Sequence, residues 1–251
     1  MAGTLLAASR PLGKDQDFYF LGNDTDITYF GVLDGHGRDD CIQFARTLDF
    51  HDIATQPDPA QTLWDHIQGI NFAGSGFTFT CARINHALHL IEVWNVGDSE
   101  TIVYLNDQVF RTELHNFHNP KEVERTKHLV YSIRKTTAAK PSSSFDILDI
   151  PSFTGDFILG DSLVPSQSYG HNGTTGFAPH KLTIPYKHTD RVRIVCVTDG
   201  VSDMQVDLSR GSAEDIVQEA QRKWHQPWNY KGFPGIHFQN VDDITAVVWE
   251  N

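Results

Sequence analysis

Residues 29–37 read Tyr-Phe-Gly-Val-Leu-Asp-Gly-His-Gly, an apolar run that ends on an acid, a glycine and a histidine. Three more runs share that design. Ile91 to Val96 stops at Gly97-Asp98-Ser99, and Arg193 to Thr198 stops at Asp199-Gly200, with Asp203 four residues on. The fourth is inverted, Asp242-Asp243 preceding Ile244 to Trp249. Each run has the length and the β-branched and aromatic content of a buried strand. Strands of one sheet align their ends, so acids fixed at strand ends can converge on a point. Clustered carboxylates repel unless cations neutralise them, and an all-oxygen donor set suits Mg²⁺ or Mn²⁺ rather than zinc. The pattern points to a carboxylate-held metal centre.

Composition sets the limits. The 251 residues, 39% of them hydrophobic, suffice for one large domain with ample core. The longest apolar stretches are strand-sized, so no membrane span is expected, and Met1 to Ala8 lacks the basic start of a signal peptide. Cys41, Cys81 and Cys196 are isolated and read as reduced core residues of an intracellular, cytoplasmic protein. The net charge of −12 argues against a nucleic-acid surface. A monomer without nucleic-acid or membrane partners is expected.

Between the strands, Asp40 to Leu48 and Pro59 to Gly69 read as short helices, with Leu63 and Ile67 at helical spacing. Gly74-Ser75-Gly76 opens a strand over Phe77 to Ile84, and Gly97-Asp98 suggests a hairpin joining the run ending at Val96 to Thr101–Leu105. Asn119-Pro120 reads as a helix start, with Glu122 in the capping-box position. Apolar periodicity is weak from 136 to about 190, which reads as a flap inserted between sheet strands. Ser212 to Trp224 is the clearest late helix, and Gly232 to Phe238 a loop. Trp94 and Trp249 read as core.

The spaced motifs Asp34-Gly35-His36-Gly37, Asn95-Val96-Gly97-Asp98-Ser99, Thr198-Asp199-Gly200-Val201-Ser202-Asp203 and Asp242-Asp243-Ile244-Thr245 resemble, in order, those of the PP2C-like metal-dependent Ser/Thr protein phosphatases. Gly74-Ser75-Gly76-Phe77-Thr78 and Thr112 to Arg125 are similar to two further family segments, so the resemblance spans about residues 9 to 250. It implies an α+β fold, a four-layer α-β-β-α sandwich of two mostly antiparallel sheets flanked by helices, as a single domain over 1–251. It also implies hydrolysis of phosphoserine or phosphothreonine in proteins by a metal-bound hydroxide. Two core Mg²⁺ or Mn²⁺ ions and a weaker third are implied. In the family's roles, Asp34 bridges both core metals, the Gly35 carbonyl adds a ligand, and Asp199 and Asp242 complete the first metal's shell. Asp98 and Asp203 match the third site, Asp17 the acid that contacts metal-bound water, and His36 the general acid. Chemistry agrees: metal-bound water can reach a pKa near ~7, and a serine alkoxide leaves poorly without a proton.

Two departures stand out. Leu12 occupies the place of the family's phosphate-binding arginine, leaving Arg10 and Lys14 as the candidate phosphate contacts, Arg10 favoured for its planar fork, and Arg38 replaces the last glycine of Asp-Gly-His-Gly-Gly. Lysine is a point charge and lacks the bidentate arginine fork. The missing arginine keeps two alternatives open: a pseudophosphatase that binds proteins as a regulatory module, and a phosphatase of a small phosphorylated molecule.

Overall fold

The structure, a computed structural model, describes residues 3–116, 119–122, 124–126, 165–173, 175–226 and 241–251. The run at 29–37 lies in strand β3 (Ile27–Gly37), flanked by β2 (Asp17–Asn23) and β4 (Ser75–Asn85). β5 (Leu90–Val96) and β9 (His180–Pro185) extend this sheet, and the short β8 (Tyr169–Gly170) pairs with the start of β4. A second sheet has the order β1 (Thr4–Arg10), β11 (Ile244–Glu250), β10 (Val192–Val197), β6 (Glu100–Leu105) and β7 (Gln108–Arg111). Every strand pair among the described residues is antiparallel.

Alternation along the strands builds the layers. In β3, Tyr29 and Leu33 face α1 (Asp40–Ala45), α2 (Phe50–Thr55) and α3 (Pro59–Ile67), while Phe30 and Val32 face the other sheet. The second sheet turns Val195, Val197, Ala246 and Val248 outward onto α4 (Asp199–Ser202) and α5 (Ala213–Trp224). The result is the expected four-layer α-β-β-α sandwich. Its helices start where local chemistry dictates. Asp58 caps α3 ahead of Pro59, and Ser212 and Asp215 form a reciprocal capping box on α5. Trp94, Trp249 and all three cysteines are buried.

Three readings need correction. Gly97-Asp98 does not close a hairpin: β5 belongs to the first sheet and β6 to the second, so these residues cross between sheets. Gly97 makes the crossing possible, because its φ is +109° and a Cβ would stand 2.5 Å from the Thr78 side chain. Thr78 and Ser99 hydroxyls then bond at 2.6 Å across the junction. Next, the stretch 136–190 divides: 136–164 lies outside the described residues, whereas β8 and β9 belong to the sheet. β9 escaped notice because this six-residue edge strand alternates over only two apolar residues, Leu182 and Ile184, on its less exposed face. Finally, Asn119 Oδ1 does cap, accepting from Lys121 N at 3.0 Å, but the Glu122 carboxylate turns inward instead, to Arg125, Ser166 and Gln167. The Gly232–Phe238 loop lies outside the described residues.

Candidate metal centre

Antiparallel pairing brings the acids together. Asp17 opens β2 directly opposite Asp34 near the end of β3, a pairing of like charges that is unfavourable by itself. In the second sheet β10 ends where β11 begins, so Asp199 and Asp242 meet at the same end of the sandwich. Thr198 joins the two sheets. Its hydroxyl accepts from Thr245 N at 3.1 Å and donates to Asp17 Oδ2 at 2.8 Å. Gly200 must be small here, since a Cβ would collide with the Asp243 carbonyl. Trp224 of α5 fixes this corner by donating to Gly200 O at 2.7 Å.

The cluster lacks internal neutralisation. Burial, then the charges of Asp199, Asp17 and Asp242, hold the Asp34 carboxyl well above the usual carboxylate range. Asp17 is raised by burial despite donors from Thr245 and Thr198. Burial and Asp199 lift Asp242 to about 7, and Asp203 adds to the effect. Asp34 and Asp199 remain partly accessible, and Asp242 is exposed at the rim. Asp199 Oδ1 is buried without a hydrogen-bond partner. Among the described residues no lysine or arginine pairs with any of these four acids. In donor type and charge the set fits a hard divalent cation. As the side chains stand, no three His, Cys, Asp or Glu residues among those described already surround a common ion position, so ligation requires them to draw inward.

Around this floor, Gly35 packs so closely that a Cβ would lie 2.8 Å from Gln16 O and 3.0 Å from Ile42 Cβ. His36 hydrogen-bonds to the backbone of Asp34, and its Nε2 is buried without a partner. Burial, then the neighbouring His171 and Lys14, favour its neutral form. Lys14 is exposed near His36, whereas the Arg10 guanidinium is committed to Glu214 on α5. Asp98 is buried in the inter-sheet crossing, and Asp203 ends α4 at the edge of a cleft of about 690 Å³ that Glu100, Glu113 and Lys121 also line. Sequence reading missed three participants. Asp243, beside Asp242, anchors the loop before β2, accepting from Gly13 N and Gln16 N at 2.7 Å each. Thr198 orients Asp17, and His171 stacks on His36 with ring centroids 5.0 Å apart. Only the Asp-Asp pair and the threonine before Asp199 signalled any of this in the sequence.

Solved structures resemble this architecture along the whole chain. One is the serine-threonine phosphatase 2C of Toxoplasma gondii, with a TM-score of 0.63 and 14% identity over 99% of this chain and 94% of that one. The chain has the PP2C phosphatase fold. The S. agalactiae serine/threonine phosphatase matches at a TM-score of 0.60 and 15% identity, over 99% of both chains. A C. elegans sex determining protein matches at 0.62 and 16%, this chain spanning all of its own length but 65% of the other. No family sequence model and no curated protein sequence matches. Within the PP2C fold, the acid cluster described above lies at one end of the two-sheet sandwich. Among the described residues no helix is long and apolar enough to cross a membrane.

Proposed function

We propose that this chain is a Mg²⁺- or Mn²⁺-dependent phosphatase acting on phosphoserine and phosphothreonine in proteins. The observation that carries this reading is the strand-end cluster of Asp17, Asp34, Asp199 and Asp242, close enough to repel and without a cation of its own. Asp34, Asp199, Asp242 and the Gly35 carbonyl would hold the core ions, with Asp17 beside them and Asp98 and Asp203 serving a third. Such ions supply Lewis acidity and activate water for attack on phosphorus. The residues of the chain do the rest. Lys14, exposed and near His36, draws the phosphoryl dianion toward the acid cluster. That dianion favours the protonated form of His36, whose unpartnered Nε2 then hands a proton to the departing serine oxygen.

His36→Ala tests the assignment with two substrates. Phosphopeptide turnover should fall about 10²-fold or more, and p-nitrophenyl phosphate turnover far less, because nitrophenolate leaves without a proton. Equal losses would reduce His36 to a structural part. One observation favours a second reading, a pseudophosphatase serving as a protein-binding module: Leu12 stands in the arginine place and Arg10 is already paired with Glu214. Absence of Mn²⁺-stimulated p-nitrophenyl phosphate hydrolysis would select it.

A further inference from the structure

Four consecutive residues, Gly170 to Gly173, have left-handed backbones, with φ of +83°, +46°, +53° and +71°. Glycine enters this region freely, but a histidine is strained there and stays only where its surroundings impose it, and such strain gathers at working sites. The surroundings here do impose it. Asn172 Oδ1 accepts from Phe72 N at 2.8 Å, and Arg125 ties both ends of the loop by donating to Ser166 O and Thr175 O, each at 2.8 Å. Gly170 pairs with Gly76 at the start of β4, and the turn swings the His171 ring across that glycine. A Cβ at position 76 would stand 2.5 Å from His171 Cδ2 and Nε2, so the second glycine of Gly74-Ser75-Gly76 is what admits the ring. There the imidazole is buried and stacks on His36, the planes inclined by only 13°.

We propose that His171 is the positioning residue for His36, walling its ring into one fixed orientation beside the acid cluster. The proposal rests on the role given to His36 above. Histidine χ2 is broad and roughly two-fold, so hydrogen bonding from one ring edge leaves rocking that a flat neighbour suppresses. A catalytic group displaced by about 1 Å can lose about 10²-fold in rate, which makes that restraint worth a strained turn.

The experiment compares wild type, His171→Ala and His171→Phe by Mn²⁺-supported turnover of a phosphopeptide and of p-nitrophenyl phosphate, by thermal unfolding, and by NMR of the His36 ring. In His171→Ala, kcat on phosphopeptide should fall about tenfold with KM and p-nitrophenyl phosphate turnover nearly unchanged, and the His36 ring signals should broaden. His171→Phe, which keeps a flat face, should restore both kcat and the sharp ring signals. Should His171→Ala unfold, His171→Leu fills the space without a planar ring and takes its place. Unchanged kcat and ring signals in the truncated variant would overturn the proposal, as would equal losses on both substrates or no rescue by phenylalanine. If wild type hydrolyses neither substrate, the phosphatase reading fails by itself; the His36 ring signals then still decide, sharpness lost without His171 supporting the restraint and sharpness kept refuting it.

Discussion

Two buried acidic sites in this molecule behave in opposite ways. Glu122 accepts from Arg125 at 2.7 Å, Ser166 Oγ at 2.5 Å and Gln167 Nε2 at 3.1 Å. Burial alone would raise its carboxyl, but Arg125, Ser166 and the neighbouring His115 outweigh burial and lower it. Asp34 lies among other acids and is pushed up. One carboxylate brought its counter-ion in the sequence, three residues downstream. The other did not. A buried charge with its own partner holds structure together, whereas a buried group of like charges without one is a demand for an external cation.

The sharpest way to break this contrast is to remove one acid from each site. Asp34→Asn should reduce Mn²⁺-dependent turnover by about 10³-fold, the equivalent of the several kcal/mol that metal charge contributes to a phosphoryl transition state. Its metal-free fold should be no less stable than wild type, since a repelled charge has gone. Retained turnover in Asp34→Asn, or in EDTA, would end the metal assignment. Glu122→Gln should do the reverse. Losing one partner of a buried pair costs about 3–5 kcal/mol, or roughly 10 °C in Tm, and Mn²⁺ should not recover it. A Tm unchanged by that substitution would show the pair to be incidental.

Titration should separate the sites more finely. Glu122 is lowered from 4.5, so its stabilisation is present above that value and fades as pH falls through the acid range. Asp242 is raised from 3.8 to about 7, so its contribution is fully present only below the lower value and is lost progressively as pH rises to about 7. Metal-free protein should therefore unfold at its highest temperature between about pH 4 and 5 and lose Tm as pH rises toward 7, and Mn²⁺ should lift the neutral and alkaline side by a few degrees. A Tm that climbs steadily to pH 9 without metal would contradict the repulsion. The smallest effect concerns the rim. Lys14→Ala should raise KM for phosphopeptide about fivefold, the equivalent of about 1 kcal/mol for one charge in water. Arg10→Ala, which breaks only a half-exposed pair, should barely change KM. The opposite ranking would return the phosphate contact to Arg10.

How much the sequence revealed follows the same physics. Strand ends carrying Asp34, Asp199 and Asp242 were legible because apolar runs stop at them, and α5 because its cap and apolar face are local. The inter-sheet crossing at Gly97 was not, since Gly-Asp suits a hairpin equally well and only the pairing of β6 with β10 decides. Glu122 looked like a capping residue because its partners Ser166 and Gln167 lie more than forty residues away. His171 had only a faint local signal, a Ser168-Tyr169-Gly170-His171 run similar to the family's Ser-x-x-Gly-Asp segment that suggested no chemical role, as its meaning depends on a glycine at 76.

The place of β11 bears on how this molecule can be made. The strand is laid down between β1 and β10, so residues 4–10 have no neighbour in their sheet until residues 244–250 exist. Pairing of such distant segments is slow, and strand edges left open meanwhile invite aggregation. On the ribosome, then, Asp17, Asp34 and Asp199 are all synthesised before Asp242 can join them. The centre closes only after β11 has been made and paired, and a chain stalled before residue 242 would leave β1 without its strand partner and one edge of β10 open.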